Sequence, residues 1–160
     1  MDVVVRQPDA SDAEALARCQ LDCWHDAYAG LADPDRLAAL LADVDARHRR
    51  WQEILVGPAR VRLATQDGSV VGFATVLPGT DGAPAFLAAL YTRRACWGTG
   101  LGQRLLDETL GAGAATLQVF RDNDRARRFY ARNGFVADGT EKEEPHFGGV
   151  EIGMVRPAQG

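Results

Sequence analysis

Lysine is nearly missing from this chain. Of 18 basic residues only Lys142 is not an arginine, and 22 acidic residues leave a net charge of −4. An acidic balance argues against a general nucleic-acid binder, which needs a basic face for phosphate contacts. The scarcity of lysine reads as genome composition before function. Cysteine is scarce too: Cys19, Cys23 and Cys96 are an odd number, with no CxxC and no histidine at ligand spacing. That argues against a disulfide framework and against a metal site, and it implies reduced thiols in a cytosol. Cys19 and Cys23 lie on one helical face, where buried structural thiols are the simplest reading. No apolar run reaches the length of a membrane helix, and the start Met-Asp-Val-Val-Val-Arg has neither a charged leader nor a long apolar stretch. A cytoplasmic protein away from membranes follows. No repeat or low-complexity tract appears. What is present is ordinary: 160 residues, 46% hydrophobic and 25% charged, read as one domain over residues 1–160 with a substantial core.

Glycine is concentrated where it matters. Gly98, Gly100 and Gly102 stand at alternate positions, after an apolar stretch Ala85–Thr92 that reads as a buried strand. They run into a helical pattern with Leu101, Leu105, Leu106 and Leu110. A helix that starts in a glycine run presents N–H groups without intrahelical partners, with no Cβ to keep a bulky anion away. The positive end of its dipole points the same way. A pyrophosphate suits this arrangement, and so does a purely structural turn. A P-loop is excluded because Gln103 and Arg104 follow Gly102, and the dinucleotide spacing fails because Gln103 stands where its third glycine belongs.

A second motif follows at Leu117–Phe135: a short strand, a polar helix start at Asn123, a helix with Ala126, Phe129, Tyr130 and Asn133 on one face, and a stop at Gly134. Taken together the two stretches resemble the GCN5-related N-acetyltransferase (GNAT) superfamily. Its members carry a Q/R-x-x-G-x-G/A loop for acetyl-CoA and then an N-x-x-A-x-x-F-Y-x-x-x-G-F segment. Asn123, Ala126, Phe129, Tyr130, Gly134 and Phe135 match the second, and Gly100 and Gly102 the first. Trp97 departs from the pattern, standing where the family has Gln or Arg. Since that loop acts mainly through backbone N–H groups, binding is expected to survive the change.

The remaining chain supplies the elements such a fold requires. Val3–Arg6 reads as a strand, and Ser11 with Glu14 forms a capping box opening a helix that ends near Gly30. A second helix runs from Asp33-Pro34 to about Leu55. Two strands meet at Gln66–Ser69, and two more, Val136 to about Glu144 and Val150–Val155, close the chain. The order β, α, α, β, β, β, α, β, α, β, β predicts a mixed α/β sheet with helices on both faces. The resemblance implies the same order. It also implies that the loops around Gly30 and Gly148 wall the acceptor pocket.

Acetyl transfer needs a deprotonated amine, a polarised carbonyl and a proton for the departing thiolate. The resemblance implies a slot between Leu90-Tyr91-Thr92 and Leu117–Val119, with a backbone N–H near Leu90 or Tyr91 polarising the thioester. It implies a cofactor cradle of Trp97, Gly98, Thr99, Gly100, Leu101, Gly102 and Gln103, and an Asn123 that bonds the cofactor arm. Asn123 is equally a plain helix cap. Tyr130 is implied as the acid that protonates the sulfur, and a phenol of ordinary pKa can serve so; packing beside Phe129 is the alternative. No glutamate lies on the strand where some relatives place a base, so His25, Asp26, His146 and Glu151 are the candidates, beside a water relay. Arg125, Arg127, Arg128 and Arg132 read first as a solvated face, second as an attraction for CoA phosphates. The reading is an acetyl-CoA-dependent N-acetyltransferase acting on a small primary amine. Protein acetylation and a non-catalytic acyl-CoA-binding module are its rivals, and a homodimer stays open.

Overall fold

The computed structural model describes residues 2–159. Strand β1 (Val4–Arg6) leads through a 3₁₀ turn (Ala10–Asp12) into helix α1 (Ala13–Tyr28). The cap lies upstream of Ser11. The Asp9 carboxylate accepts the Ser11 N–H at 2.9 Å, and the Asp12 carboxylate accepts the Asp9 N–H at 2.8 Å. Arg6 selects this box: its guanidinium donates to both Asp12 oxygens, at 2.8 and 2.9 Å, and holds that carboxyl below its usual range. Glu14 pairs instead with Arg18 on the exposed face.

The expected second helix is two helices, α2 (Pro34–Ala42) and α3 (Val44–Val56). Asp43 divides them, because its carboxylate caps α3 by accepting the Ala46 N–H at 3.0 Å. Strands β2 (Arg60–Gln66), β3 (Ser69–Leu77) and β4 (Ala85–Thr92) follow, then α4 (Leu101–Thr109), β5 (Ala115–Phe120), α5 (Asp124–Arg132), β6 (Val136–Glu143) and β7 (Val150–Arg156). The sheet order is β1-β2-β3-β4-β5-β7-β6, and every pair is antiparallel except β4–β5.

Alternation along the strands loads both faces. Leu63 and Phe73 pack on Leu16, Cys19 and Trp51 of α1 and α3, while their neighbours Ala64 and Ala74 turn to Leu101 and Leu105 of α4. The mixed sheet with helices on both faces is therefore as expected. Cys19 and Cys23 are buried free thiols in the first of these layers. No helix among the described residues is long and apolar enough to cross a membrane.

One join in the sheet is short. β4 and β5 pair only at Ala85↔Ala115 and Phe86↔Thr116. On its other side β4 carries a bulge: Thr75 and Val76 of β3 face Ala89 and Leu87, so Ala88 is the extra residue. A bulge increases local twist and bends the strand that carries it, and beyond it β4 and β5 separate.

Candidate active site

Along the parting strands lies a row of cavities whose walls share residues. At one end a cavity of about 410 Å³ is bordered by Trp97, Gly98, Gly100, Gly102, Gln103, Arg125 and Arg132. The middle is bordered by Leu90, Tyr91 and Thr92 of β4 and by Ala126, Phe129 and Tyr130 of α5. Tyr28, Gln118 and Asn123 border the stretch beyond. A cavity of about 360 Å³ with Phe120, Lys142, Glu144, His146, Phe147 and Glu151 on its walls ends the row.

The first end is built for close approach. Gly98 and Gly100 hold φ at +74° and +90°, a region side chains rarely adopt, and nothing lies within 4 Å of where a Cβ would stand. Gly100 is the N-cap of α4 and no side chain caps that helix, so its first-turn N–H groups have no intrahelical partner. Gly102 lies over the Phe129 ring, 3.6 Å from its would-be Cβ. Two side chains of the expected cradle point elsewhere, leaving only their backbone to the turn. Leu101 is buried in the core under the sheet, and the Thr99 hydroxyl donates to the Cys96 carbonyl at 2.5 Å. The Gln103 amide is engaged by Asp107 and Asn133. Trp97 Nε1 donates to the Thr92 carbonyl at 3.1 Å, which fixes the indole at the mouth of the slot.

Asn123 is a helix cap, its Oδ1 accepting the Ala126 N–H at 3.2 Å, while its Nδ2 has no partner among the described residues and its side chain borders the slot. Tyr130 packs edge-on against Phe129 and Phe135, with centroids 5.4 and 5.7 Å apart. Among the described residues its hydroxyl has no hydrogen-bond partner. Burial first, and then Tyr91, push its pKa up, so the phenol keeps its proton. Tyr28 and Tyr91 share a hydroxyl–hydroxyl hydrogen bond and burial raises both pKa values. Tyr28 was not singled out from sequence. Its partner lies far along the chain, and its only local signal is its place just before Gly30, beside the loop that the resemblance sets at the acceptor pocket.

At the far end the two expected loops meet. The Asp33 N–H donates to the Phe147 carbonyl at 2.8 Å, and a Cβ on Gly149 would stand 2.8 Å from the Leu31 carbonyl. Tyr28, Phe120 and Phe147 pack edge-on around the cavity, with centroids 4.9 to 5.9 Å apart. Of the four base candidates, Glu151 and His146 border this cavity, and Glu151 pairs with Lys142 at 3.4 Å while its side chain is only 14% exposed. His25 and Asp26 pair with each other, and the His25 side chain is 71% exposed.

The model of the acetyltransferase (GNAT) family matches residues 15–135. The chain belongs to this family. Uncharacterised N-acetyltransferases of Mycobacterium bovis and Mycobacterium tuberculosis are each 33% identical to it over 137 residues, 81% of this chain and 86% of theirs. The fold of this N-acetyltransferase is that of the PaiA N-acetyltransferase of Thermoplasma acidophilum, solved in complex with coenzyme A: TM-score 0.81, 20% identity, 98% of this chain and 99% of that one. A GCN5-related N-acetyltransferase from Rhodopseudomonas palustris superposes with a TM-score of 0.76 at 23% identity, covering 98% and 96%.

Proposed function

We propose that this GNAT chain transfers the acetyl group of acetyl-CoA directly to the primary amine of a small molecule, in the cytoplasm. The observation that carries the reading is the row of wall-sharing cavities from the glycine turn to one bordered by Glu144 and Glu151. The residues present fit the cofactor: open N–H groups at Gly100–Gly102 suit its phosphates, and the parted β4 suits its arm. When bound, acetyl-CoA supplies the activated acyl group. The chain supplies the rest. Leu90, Tyr91 and Thr92 line the arm, the free Nδ2 of Asn123 donates to it, and Tyr130 holds a proton at its hydroxyl for the departing sulfur.

Glu144 and Glu151 favour an approaching ammonium, and the aromatic walls suit its apolar part. The backbone bond from Asp33 to Phe147 ties the two loops together beside this pocket, an arrangement that suits a small acceptor better than a peptide. Three buried free cysteines suit a reducing compartment.

Amines and peptides screened with acetyl-CoA for thiol release, beside thermal unfolding with the cofactor, test this. Release with free amines is expected. At about 100 Kd of acetyl-CoA the native state gains about 2.7 kcal/mol, so Tm should rise by about 5–10 °C. Release with peptides alone would make the chain a protein acetyltransferase, and a raised Tm without release would make it a binding module. An unchanged Tm at millimolar cofactor would remove the basis for all three.

A further inference from the structure

Three arginines gather around the glycine turn without an acid among them. Arg125 and Arg132 border its cavity, and Arg94 lies 5.3 Å from the Trp97 ring. Among the described residues none of the three makes a hydrogen bond or an ion pair. Several arginines elsewhere in this acidic chain find carboxylates, among them Arg6 on Asp12, Arg93 on Asp22, and Arg121 on Asp122 and Glu141. Arg125 differs from its helix neighbours as well. Arg127 donates to the Arg121 carbonyl, whereas the Arg125 guanidinium lies over the Trp97 ring, its Cζ 3.7 Å from the centroid.

That stack spans the slot, joining the α5 wall to the indole pinned by Thr92, and Arg125 borders all three cavities from the turn to Tyr130. A cation on an indole face is held modestly, by about 0.5–2 kcal/mol, while a guanidinium on phosphate forms paired charge-assisted hydrogen bonds of about twice the ordinary strength. Two cations on one indole also repel each other.

We propose that Arg125 is a phosphate ligand of the cofactor, held on Trp97 while the slot is empty and transferred from the indole to the phosphates when CoA enters. Trp97, in the place where the family has Gln or Arg, keeps this cation at the turn in the motif's stead. The inference rests on the acetyl-CoA reading of the slot.

Calorimetry with wild type and Arg125→Gln, using CoA, dephospho-CoA and the phosphate-free S-acetylpantetheine, tests it. The variant should lose about 10- to 100-fold in CoA affinity. An equal loss with dephospho-CoA assigns Arg125 to the pyrophosphate, and a loss with CoA alone assigns it to the 3′-phosphate. Acetylpantetheine affinity should stay within about twofold. The second readout is the Arg125 Nε–Hε resonance, identified by its absence from the variant. It should lie upfield in the free protein, under the Trp97 ring current, and move downfield as CoA is added. Unchanged CoA affinity, a loss shared equally by acetylpantetheine, or a resonance that stays upfield at saturation overturns the proposal. Should wild type itself bind no CoA, the reading of the slot falls first.

Discussion

The Tyr130 hydroxyl has no partner inside the described protein, although the ring beneath it is held by Phe129 and Phe135. Removing the hydroxyl alone therefore disturbs little packing. Tyr130→Phe should keep Tm and CoA affinity near wild type while kcat falls by about 100- to 10,000-fold, the usual range for a general acid. The sign of its pKa shift adds a check. Burial raises it above the ordinary 10.0, so the acid form persists and Tyr130 imposes no decline in wild-type kcat up to about pH 10. Steady-state kinetics on the best acceptor measures both, and a kcat within about twofold of wild type would assign the proton to water or another group. At this scale the sequence was partly legible. Tyr130 stood out because it falls in the second motif, on the same helix as Asn123, where the resemblance implies an acid. Arg125 did not, since four arginines on one helix look alike until one meets an indole from another part of the chain.

Helix α4 begins in the glycine turn, and its glycines divide the labour. Gly100 must hold φ at +90°, which an L-residue adopts only at a cost of about 1–2 kcal/mol, so its replacement damages fold and site together. Gly102 has no such constraint. A Cβ there meets only Phe129 at 3.6 Å, an ordinary contact, and alanine stabilises a helix over glycine by about 0.5–1 kcal/mol. Because the motif this loop resembles admits alanine here, the sharper probe is Gly102→Asp: an acid suits a helix start, so Tm should stay near wild type, while CoA affinity falls by about tenfold or more because the carboxylate stands on the floor of the slot. Unfolding with and without CoA separates the two quantities, and undiminished affinity would show that the ligand stays clear of this turn. Element boundaries were harder to read than elements. The apolar period continues through Leu37, Leu40, Leu41 and Val44 as if nothing intervened, yet Asp43 ends one helix and caps the next.

In the whole molecule, element order and the mixed sheet were legible because each strand and helix has its own period and punctuation. The meeting of Asp33 with Phe147, and of Tyr28 with Tyr91, was not, since neither contact leaves a local trace. The short join of β4 to β5 at Ala85 and Phe86 leaves no local trace either, and the slot it opens was expected from the resemblance alone. Mechanically, that join is the spine of a book. Strands β1–β4 form one stiff cover and β5–β7 the other, stitched by backbone at one end and held elsewhere by side chains such as Leu87, Leu106 and Leu117. The covers can breathe about the spine without breaking a strand pair, and a ligand lying between them works as a second row of stitching. Amide exchange should therefore slow on CoA binding along Leu87–Thr92, by about tenfold or more, while β2 keeps its own rate under native conditions. Equal slowing across all strands would mean that the sheet opens only by unfolding as one piece, and that the slot is a rigid bore into which the cofactor must be threaded end-on.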